Sequence, residues 1–266
     1  MAIEVFSRNE CKFIVDNDIY KVMNERLLEY MEMDVYNKAH DFYTISNIYY
    51  DTKDNYLIRN SLSKPKYKEK LRLRAYGVPK ENDKVFLEIK KKFNGLVNKR
   101  RTGIRLNEAY EFVDTGEKPE LKHYMNKQVL NEIGYILKLY EVEPKLYLAY
   151  DRKAMLSKED RGLRITFDTN IRTRRYDLKL EAGDYGEFLL EKGEWLMEVK
   201  AENNIPIWLS RLLSEYKVYK TSFSKYGKEY EKMLTKSKSS KEEMKKCLTQ
   251  YSTQYQVQPQ LVQQYL

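Results

Sequence analysis

The sequence predicts an α+β domain built on an antiparallel sheet, and three observations carry that reading. Seven segments alternate apolar with charged or polar residues at a period of two, as a strand with one buried and one wet face does. Helical-period segments fall among them without the strand–helix–strand rhythm of a parallel sheet. No internal repeat of fixed period is evident.

Residues 3–13 alternate as a strand. Residues 16–33 place Ile19, Val22, Met23, Leu27 and Tyr30 at helical spacing behind Asp16, a suitable N-cap. The β-branched and aromatic run Tyr43–Tyr50 predicts a strand ending at Asp51-Thr52, followed by a short helix to about Arg59. Three charged strands come next, near 66–76, 84–92 and 97–106, separated by the turn signals Gly77-Val78-Pro79 and Asn94-Gly95. Residues 107–139 are mainly helical, with a break around Gly116–Pro119. Strands resume at 143–155, 162–175 and 194–200, with a hairpin turn near Arg161-Gly162. Residues 206–235 are helical in two pieces, interrupted near Thr221–Tyr226. Beyond them Lys236–Lys246 is rich in Lys, Ser and Glu, and 250–266 holds seven Gln and no Gly. The expected division is therefore a domain over 1–235 and a terminal helix or extension over 236–266.

Composition narrows the function. A chain of 266 residues with 42% hydrophobic content, including 24 Tyr, can bury a sizeable core. Its 33% charged residues and net charge of +9 favour an anionic partner without choosing among nucleic acid, phospholipid and phosphorylated metabolite. Cys11 and Cys247 are too few for a disulfide framework or a Cys-rich zinc site, and His40 and His123 argue against His-based metal or triad chemistry. The N-terminus lacks a signal-peptide apolar region and no segment approaches 18 apolar residues, so the expectation is a soluble, reduced, cytoplasmic protein.

The charges on the alternating faces are more specific. Lys68, Lys70, Arg72 and Arg74 share one face opposite Leu71 and Leu73. Glu88, Lys90 and Lys92 oppose Leu87 and Ile89, while Lys99, Arg101 and Arg105 oppose Ile104 and Leu106. The design recurs in Arg8, Glu10 and Lys12, in Tyr150 and Arg152, in Arg164, Thr166 and Asp168, and in Glu198 and Lys200. Any one such strand is explained by a sheet with its charged face in water. That explanation accounts for the alternation but not for the sign. Segments 68–74 and 99–105 give their polar faces no acid, and rows of like charge on neighbouring strands are destabilising. Strands closed into a barrel would bring these faces into one lumen, which an anion with several phosphates would neutralise. Arg offers phosphate a bidentate fork and Lys a point charge. Glu10, Glu88, Glu198 and Asp168 are then candidate ligands for a hard divalent cation bridging phosphates.

An ordered series of short motifs carries a resemblance. Arg8-x-Glu10-x-Lys12-Phe13, Ile48-Tyr49-Tyr50-Asp51-Thr52, Tyr67-Lys68-x-Lys70-x-Arg72-x-Arg74-x-Tyr76, Phe86-x-Glu88-x-Lys90 and Lys99-Arg100-Arg101 come first. Tyr150-x-Arg152, Arg164-x-Thr166-x-Asp168, Glu198-x-Lys200 and Ser222-Phe223-Ser224-Lys225-Tyr226 complete it. In that order, over about residues 4–230, they resemble the polyphosphate polymerase domain of the vacuolar transporter chaperone (VTC) family, a branch of the CYTH-like triphosphate tunnel metalloenzymes. The resemblance implies an antiparallel β-barrel, the triphosphate tunnel fold, with helices packed outside. It implies Arg72, Arg74, Lys90, Arg152, Arg164 and Glu198 as the catalytic set. Lys12, Lys99, Tyr150, Ser224 and Lys225 would assist in binding the phosphates, and Glu198 with Glu10 would hold Mn²⁺ or Mg²⁺.

Two departures qualify the match. Arg8 stands where the wider superfamily has a first Glu, which agrees with the polymerase branch. Ser222 stands where fungal members have a further Lys, so one cationic contact is expected to be missing. The implied activity is transfer of the terminal phosphate of ATP to a growing inorganic polyphosphate chain. Hydrolysis of a triphosphate or nucleotide, and a non-catalytic polyphosphate-binding domain, are the competing readings. A separate membrane protein could recruit such a domain to the inner face of the membrane. Nucleic acid is disfavoured, because the Tyr residues are dispersed and no binding module is recognisable. Trp195 and Trp208 read as packing, and Tyr49 and Tyr50 as half core and half rim.

Overall fold

A computed structural model describes residues 5–6, 9–94, 96–202 and 204–239. Arg8, Gly95 and the Gln-rich tail lie outside the described residues. The chain divides into two units, Met1–Tyr226 and Gly227–Leu266; of the second, residues 227–239 are helical.

The first unit is an antiparallel sheet that curls on itself. Its strands are β1 (Val5–Phe6), β2 (Asn9–Val15), β3 (Met31–Met33), β4 (Tyr43–Thr52), β5 (Tyr67–Tyr76), β6 (Lys84–Phe93), β7 (Leu96–Arg105), β8 (Val142–Ser157), β9 (Arg164–Arg174), β10 (Glu187–Phe188) and β11 (Trp195–Ala201). Their order is β1-β7-β6-β5-β4-β8-β9-β11-β2, with β3 attached to β8 and β10 to β9. The two strands at the ends of this order, β1 and β2, are consecutive in the chain and separated only by residues 7–8. Laid flat, nine strands about 4.8 Å apart would hold their edges roughly 38 Å from one another. The link from Phe6 to Asn9 reaches about 11 Å at most. The sheet must therefore curl until its edges meet, and the fold is the antiparallel tunnel barrel that the resemblance implied. No ladder joins β1 to β2 among the described residues; covalent continuity brings the edges together.

Helices cover the outside, α1 (Asn17–Leu27), α2 (Tyr56–Leu62), α3 (Leu106–Thr115), α4 (Lys127–Leu139) and α5 (Ile207–Glu215). Two apolar cores form beneath them. In one, Leu71, Leu73, Leu87, Ile89 and Ile104 from the outer faces of β5–β7 meet Phe112, Val129 and Ile133 of α3 and α4. In the other, Phe13, Ile165, Phe167, Met197 and Val199 meet Met23 and Leu27 of α1 and Leu209 of α5. Because every second residue of these strands is spent on an outer core, the charged alternate must face the lumen. Trp195 stacks on Tyr20 at 3.6 Å and Trp208 on Tyr30 at 4.2 Å, which makes both packing residues, as expected.

Local signals match the boundaries closely. The Asp16 carboxylate accepts from the Ile19 N–H at 2.8 Å and caps α1. Gly116 ends α3 at φ 74°, the left-handed C-cap that glycine adopts without strain. Several elements differ from expectation: the strand expected over 3–13 is described as β1 and β2, and β10 was not expected. The helix expected over 16–33 stops at Leu27, and Met31–Met33 pairs with Met155–Ser157 of β8 instead. Met31 and Met33, two apart, share a face only on a strand, and the long partner β8 supplies the pairing.

A cation-lined tunnel as candidate active site

Two clusters of charge assembled from neighbouring strands face the lumen, and a segment from outside the strands adds to them. In the first, Arg72, Glu88 and Arg101 are register partners across β5, β6 and β7. Glu88, 1% exposed, takes Arg72 at 2.7 Å and Lys99 at 2.9 Å, with Arg74 at 3.9 Å. Arg72 also donates to the Tyr49 hydroxyl at 3.0 Å, and Arg74 to Asn47 Oδ1 at 2.9 Å and Tyr150 Oη at 3.3 Å. The acid missing from the faces of β5 and β7 thus comes from β6 between them. The rows of like charge inferred from single strands are interleaved once the strands pair.

In the second cluster, Lys12 of β2, Glu198 of β11 and Thr166 of β9 lie side by side. Arg152 of β8 grips Asp168 of β9 in a bidentate pair at 2.6 and 2.7 Å. Glu198 is surrounded by Lys200 at 3.2 Å, Lys225 at 3.3 Å, Lys12 at 3.4 Å and Arg152 at 3.8 Å. Lys225 also reaches Asp168 at 2.6 Å and lies 4.5 Å above the Tyr150 ring. Glu10 joins Lys12 at 3.1 Å and Lys90 of β6 at 3.9 Å, a contact between strands that are not neighbours and so spans the lumen.

The third feature is the segment Thr221–Tyr226, where the expected helix interruption falls. The Thr221 N–H donates to the Lys12 carbonyl at 2.7 Å, and Lys12 Nζ donates to the Phe223 carbonyl at 3.0 Å. Lys70 Nζ donates to Ser224 Oγ at 3.3 Å. Tyr226 Oη donates to Asp51 at 3.0 Å, and Asp51 accepts the Leu57 and Ile58 N–H groups at the start of α2. The non-helical residues 221–224 thus bridge to β2 at Lys12 and set the following helix so that its first residue, Lys225, reaches the lumen.

Among the described residues, cations facing the lumen outnumber carboxylates by more than two to one, and burial shifts the ionisation of several of them. Burial pulls Lys99 down to about 7, against the attraction of Glu88, and pulls Lys70 down to about 8. Lys90 is lowered too, by burial before its lysine neighbours. Lys90 and Lys99 sink their stems into protein while the side chains stay 42% and 36% exposed, so the lumen admits water. Burial opposes ionisation of Tyr49, but Arg72, Lys70 and Arg74 outweigh it and bring the phenol to about 8. The carboxylates move the other way. Burial alone would raise them, yet the surrounding cations hold Glu10 at about 2 and Glu88, Asp168 and Glu198 below their ordinary range.

The sequence-derived residues Lys12, Arg72, Arg74, Lys90, Lys99, Tyr150, Arg152, Glu198, Glu10, Ser224 and Lys225 all meet around this lumen. Arg164 lies toward one mouth, paired to Asp34 at 2.9 Å. Glu88 and Asp168, also candidate metal ligands, are engaged by arginine and lysine, as Glu10 and Glu198 are by their own cations. Lys70, Lys200 and Tyr49 were missed, although the alternation carrying Arg72, Glu198 and Asn47 includes them. Among the described residues no group of three or more His, Cys, Asp and Glu side chains gathers as a metal cage. Glu10 and Glu198, both ionised and both on Lys12, fit a different arrangement, in which one or two carboxylates share a hard cation with substrate phosphates. A shallow concavity of about 750 Å³ near Thr52, Asp54 and Tyr140 lies outside the barrel and collects no comparable charge.

A strongly curled antiparallel sheet with a cationic interior and its helices outside is the tunnel fold of the triphosphate-tunnel class. A candidate adenylate cyclase from Bacillus halodurans shares this fold with a TM-score of 0.52 at 14% identity, covering 84% of this chain and 96% of its own. The chain belongs to the VTC-domain family, which matches residues 7–234. More distant in shape are a candidate adenylyl cyclase from Hippeastrum, described as having a dominant triphosphatase activity (TM-score 0.43, 15% identity, 82% and 92% covered), and the capping-enzyme triphosphatase of Mimivirus (TM-score 0.33, 10% identity, 78% and 86% covered). No curated protein matches the sequence. Among the described residues no helix is long and apolar enough to cross a membrane.

Proposed function

We propose that this chain transfers the terminal phosphate of ATP to the end of an inorganic polyphosphate chain held in the tunnel. One observation carries the reading: a curled, cation-lined lumen in which cations outnumber carboxylates, with Lys99 and Lys70 pulled toward neutrality by their burial. A polyanion supplies the missing charge. Arg72 and Arg74, steadied by Glu88 and Asn47, present guanidinium forks for phosphate oxygens, and Arg152 and Lys225 present a second cationic wall. In-line phosphoryl transfer needs positioning and charge stabilisation more than a protein nucleophile, and the attacking atom would be a terminal phosphate oxygen of the acceptor. Mn²⁺ or Mg²⁺ on Glu198 and Glu10, when bound, would draw charge from the transferring and leaving oxygens.

The tunnel domain at 1–235, the separate extension at 236–266, a cytoplasmic location and recruitment by a separate membrane protein belong to the same proposal. The test is incubation of the purified chain with ATP and Mn²⁺, with products sized by gel and phosphorus NMR. Chains longer than three phosphates support the polymerase. Release of phosphate alone would convert the reading to a triphosphatase, and tight polyphosphate binding without turnover to a binding domain.

A further inference from the structure

One mouth of the tunnel is built of aromatic rings. The inner-face alternation that carries Arg72 and Arg74 along β5 ends at Tyr76. That of Asn47 and Tyr49 along β4 begins at Tyr43, and that of Glu88 along β6 begins near Phe86. These positions lie at one end of the barrel, since Ile45 pairs with Tyr76 and Arg74 with Phe86. Tyr76 is 6.1 Å from Tyr43 and meets Phe86 edge-on at 6.0 Å. Tyr36, from the turn before β4, lies 5.7 Å from Tyr43 and nearly parallel to Tyr76, at 6.0 Å and 10°. Cations join the rings. Arg101 lies 4.7 Å over Phe86, and Arg164 reaches the Tyr43 hydroxyl at 3.5 Å.

This rim is not a closed core. Tyr36 is 60% exposed and Tyr76 45%, whereas the packed pair Tyr20–Trp195 closes face to face at 3.6 Å. Exposed rings beside cations, at the opening of a phosphate-sized channel, suit a ligand with a flat π-system attached to a polyanion. We propose that the rim is a stacking platform for the base of a nucleoside triphosphate, so that the donor enters with its phosphates leading. The inference rests on the tunnel reading above and adds to it a direction of entry and a basis for preferring a nucleotide over bare phosphate. Along β5 the step from Tyr76 to Arg72 is about 13 Å, which lets a base on the rim place its outer phosphates between Arg72 and Arg74.

The experiment compares ATP with inorganic tripolyphosphate, which carries the same charge-bearing groups without a base. Affinities of both are measured by calorimetry for the full chain and for Tyr36→Ala, Tyr76→Ala and Tyr76→Phe. Truncating either tyrosine is expected to weaken ATP about ten-fold while tripolyphosphate changes less than two-fold, and Tyr76→Phe is expected to keep ATP affinity. The exposed Tyr36 offers a variant with little packing to lose. Equal losses for the two ligands, or none for ATP, would overturn the platform while leaving the tunnel reading intact. Failure of the unaltered chain to bind tripolyphosphate at all would remove both.

Discussion

Glu198 shows how much of the site's behaviour one carboxylate can organise. It touches Lys12, Lys200, Lys225 and Arg152, and those cations keep it ionised despite its burial. Glu198→Gln is expected to abolish turnover while leaving polyphosphate affinity unchanged or higher, because the lumen then has one negative charge fewer. A binding isotherm and a turnover assay on the same preparation check this; parallel loss of both would count against a role beyond binding. Tyr49 makes a second residue-scale prediction. Its phenol, near 8, keeps its proton at neutral pH but becomes a competing anion above that. Tyr49→Phe should therefore raise polyphosphate affinity several-fold at pH 9 and leave it nearly unchanged at pH 6.5. Of the residues that matter at this scale, Arg72, Arg152 and Glu198 are legible from alternation and motif. Tyr49 is not, because a Tyr-Tyr pair in a strand gives no sign of which ring faces the core.

At the scale of elements, the segment Thr221–Tyr226 stands out because the non-helical residues 221–224 set the start of the helix over 225–239, whose first residue is Lys225. Its anchor is Asp51, fully buried, which accepts from the Thr52, Leu57 and Ile58 N–H groups and from Tyr226 Oη. Asp51→Ala should lower stability by about 2–3 kcal/mol, since several donors to a charged acceptor lose it together. Tyr226→Phe should lower it by about 1 kcal/mol. Urea denaturation gives both values. The interruption was visible in the sequence as a lapse in helical period. Its purpose was not, since the residues that hold it, Lys12 and Asp51, are 211 and 175 positions away.

The molecule as a whole is a charged lumen lined by strands that bury their other faces in two cores. Lys99 and Lys70, displaced to about 7 and 8, shed protons on folding that the unfolded chain keeps up to the ordinary lysine range near 10.5. Between those values the unfolded state binds more protons, so the stability of the empty protein gains from these groups as pH rises from about 7 toward 10. A bound polyanion returns the protons. Tripolyphosphate should therefore raise the melting temperature more at pH 6.5 than at pH 9, and binding at pH 8 should take up protons, seen as a buffer-dependent heat in calorimetry. Glu10, held at about 2, acts in the opposite window: its contribution is present above the ordinary carboxylate range and is lost as pH falls through about 2.

What the sequence determined by itself was periodicity and sign: which residues share a strand face, that one face is apolar and the other cationic, and that helices lie between the strands. Those follow from local backbone geometry, and the ordered motifs added the family. Only the tertiary structure decided which strands are neighbours. That choice set Glu88 between two cationic rows and brought Lys225 onto Asp168 and Glu198. Strand order and closure depend on pairings between residues far apart in the chain, and a pattern of period two looks the same whichever partner it finds.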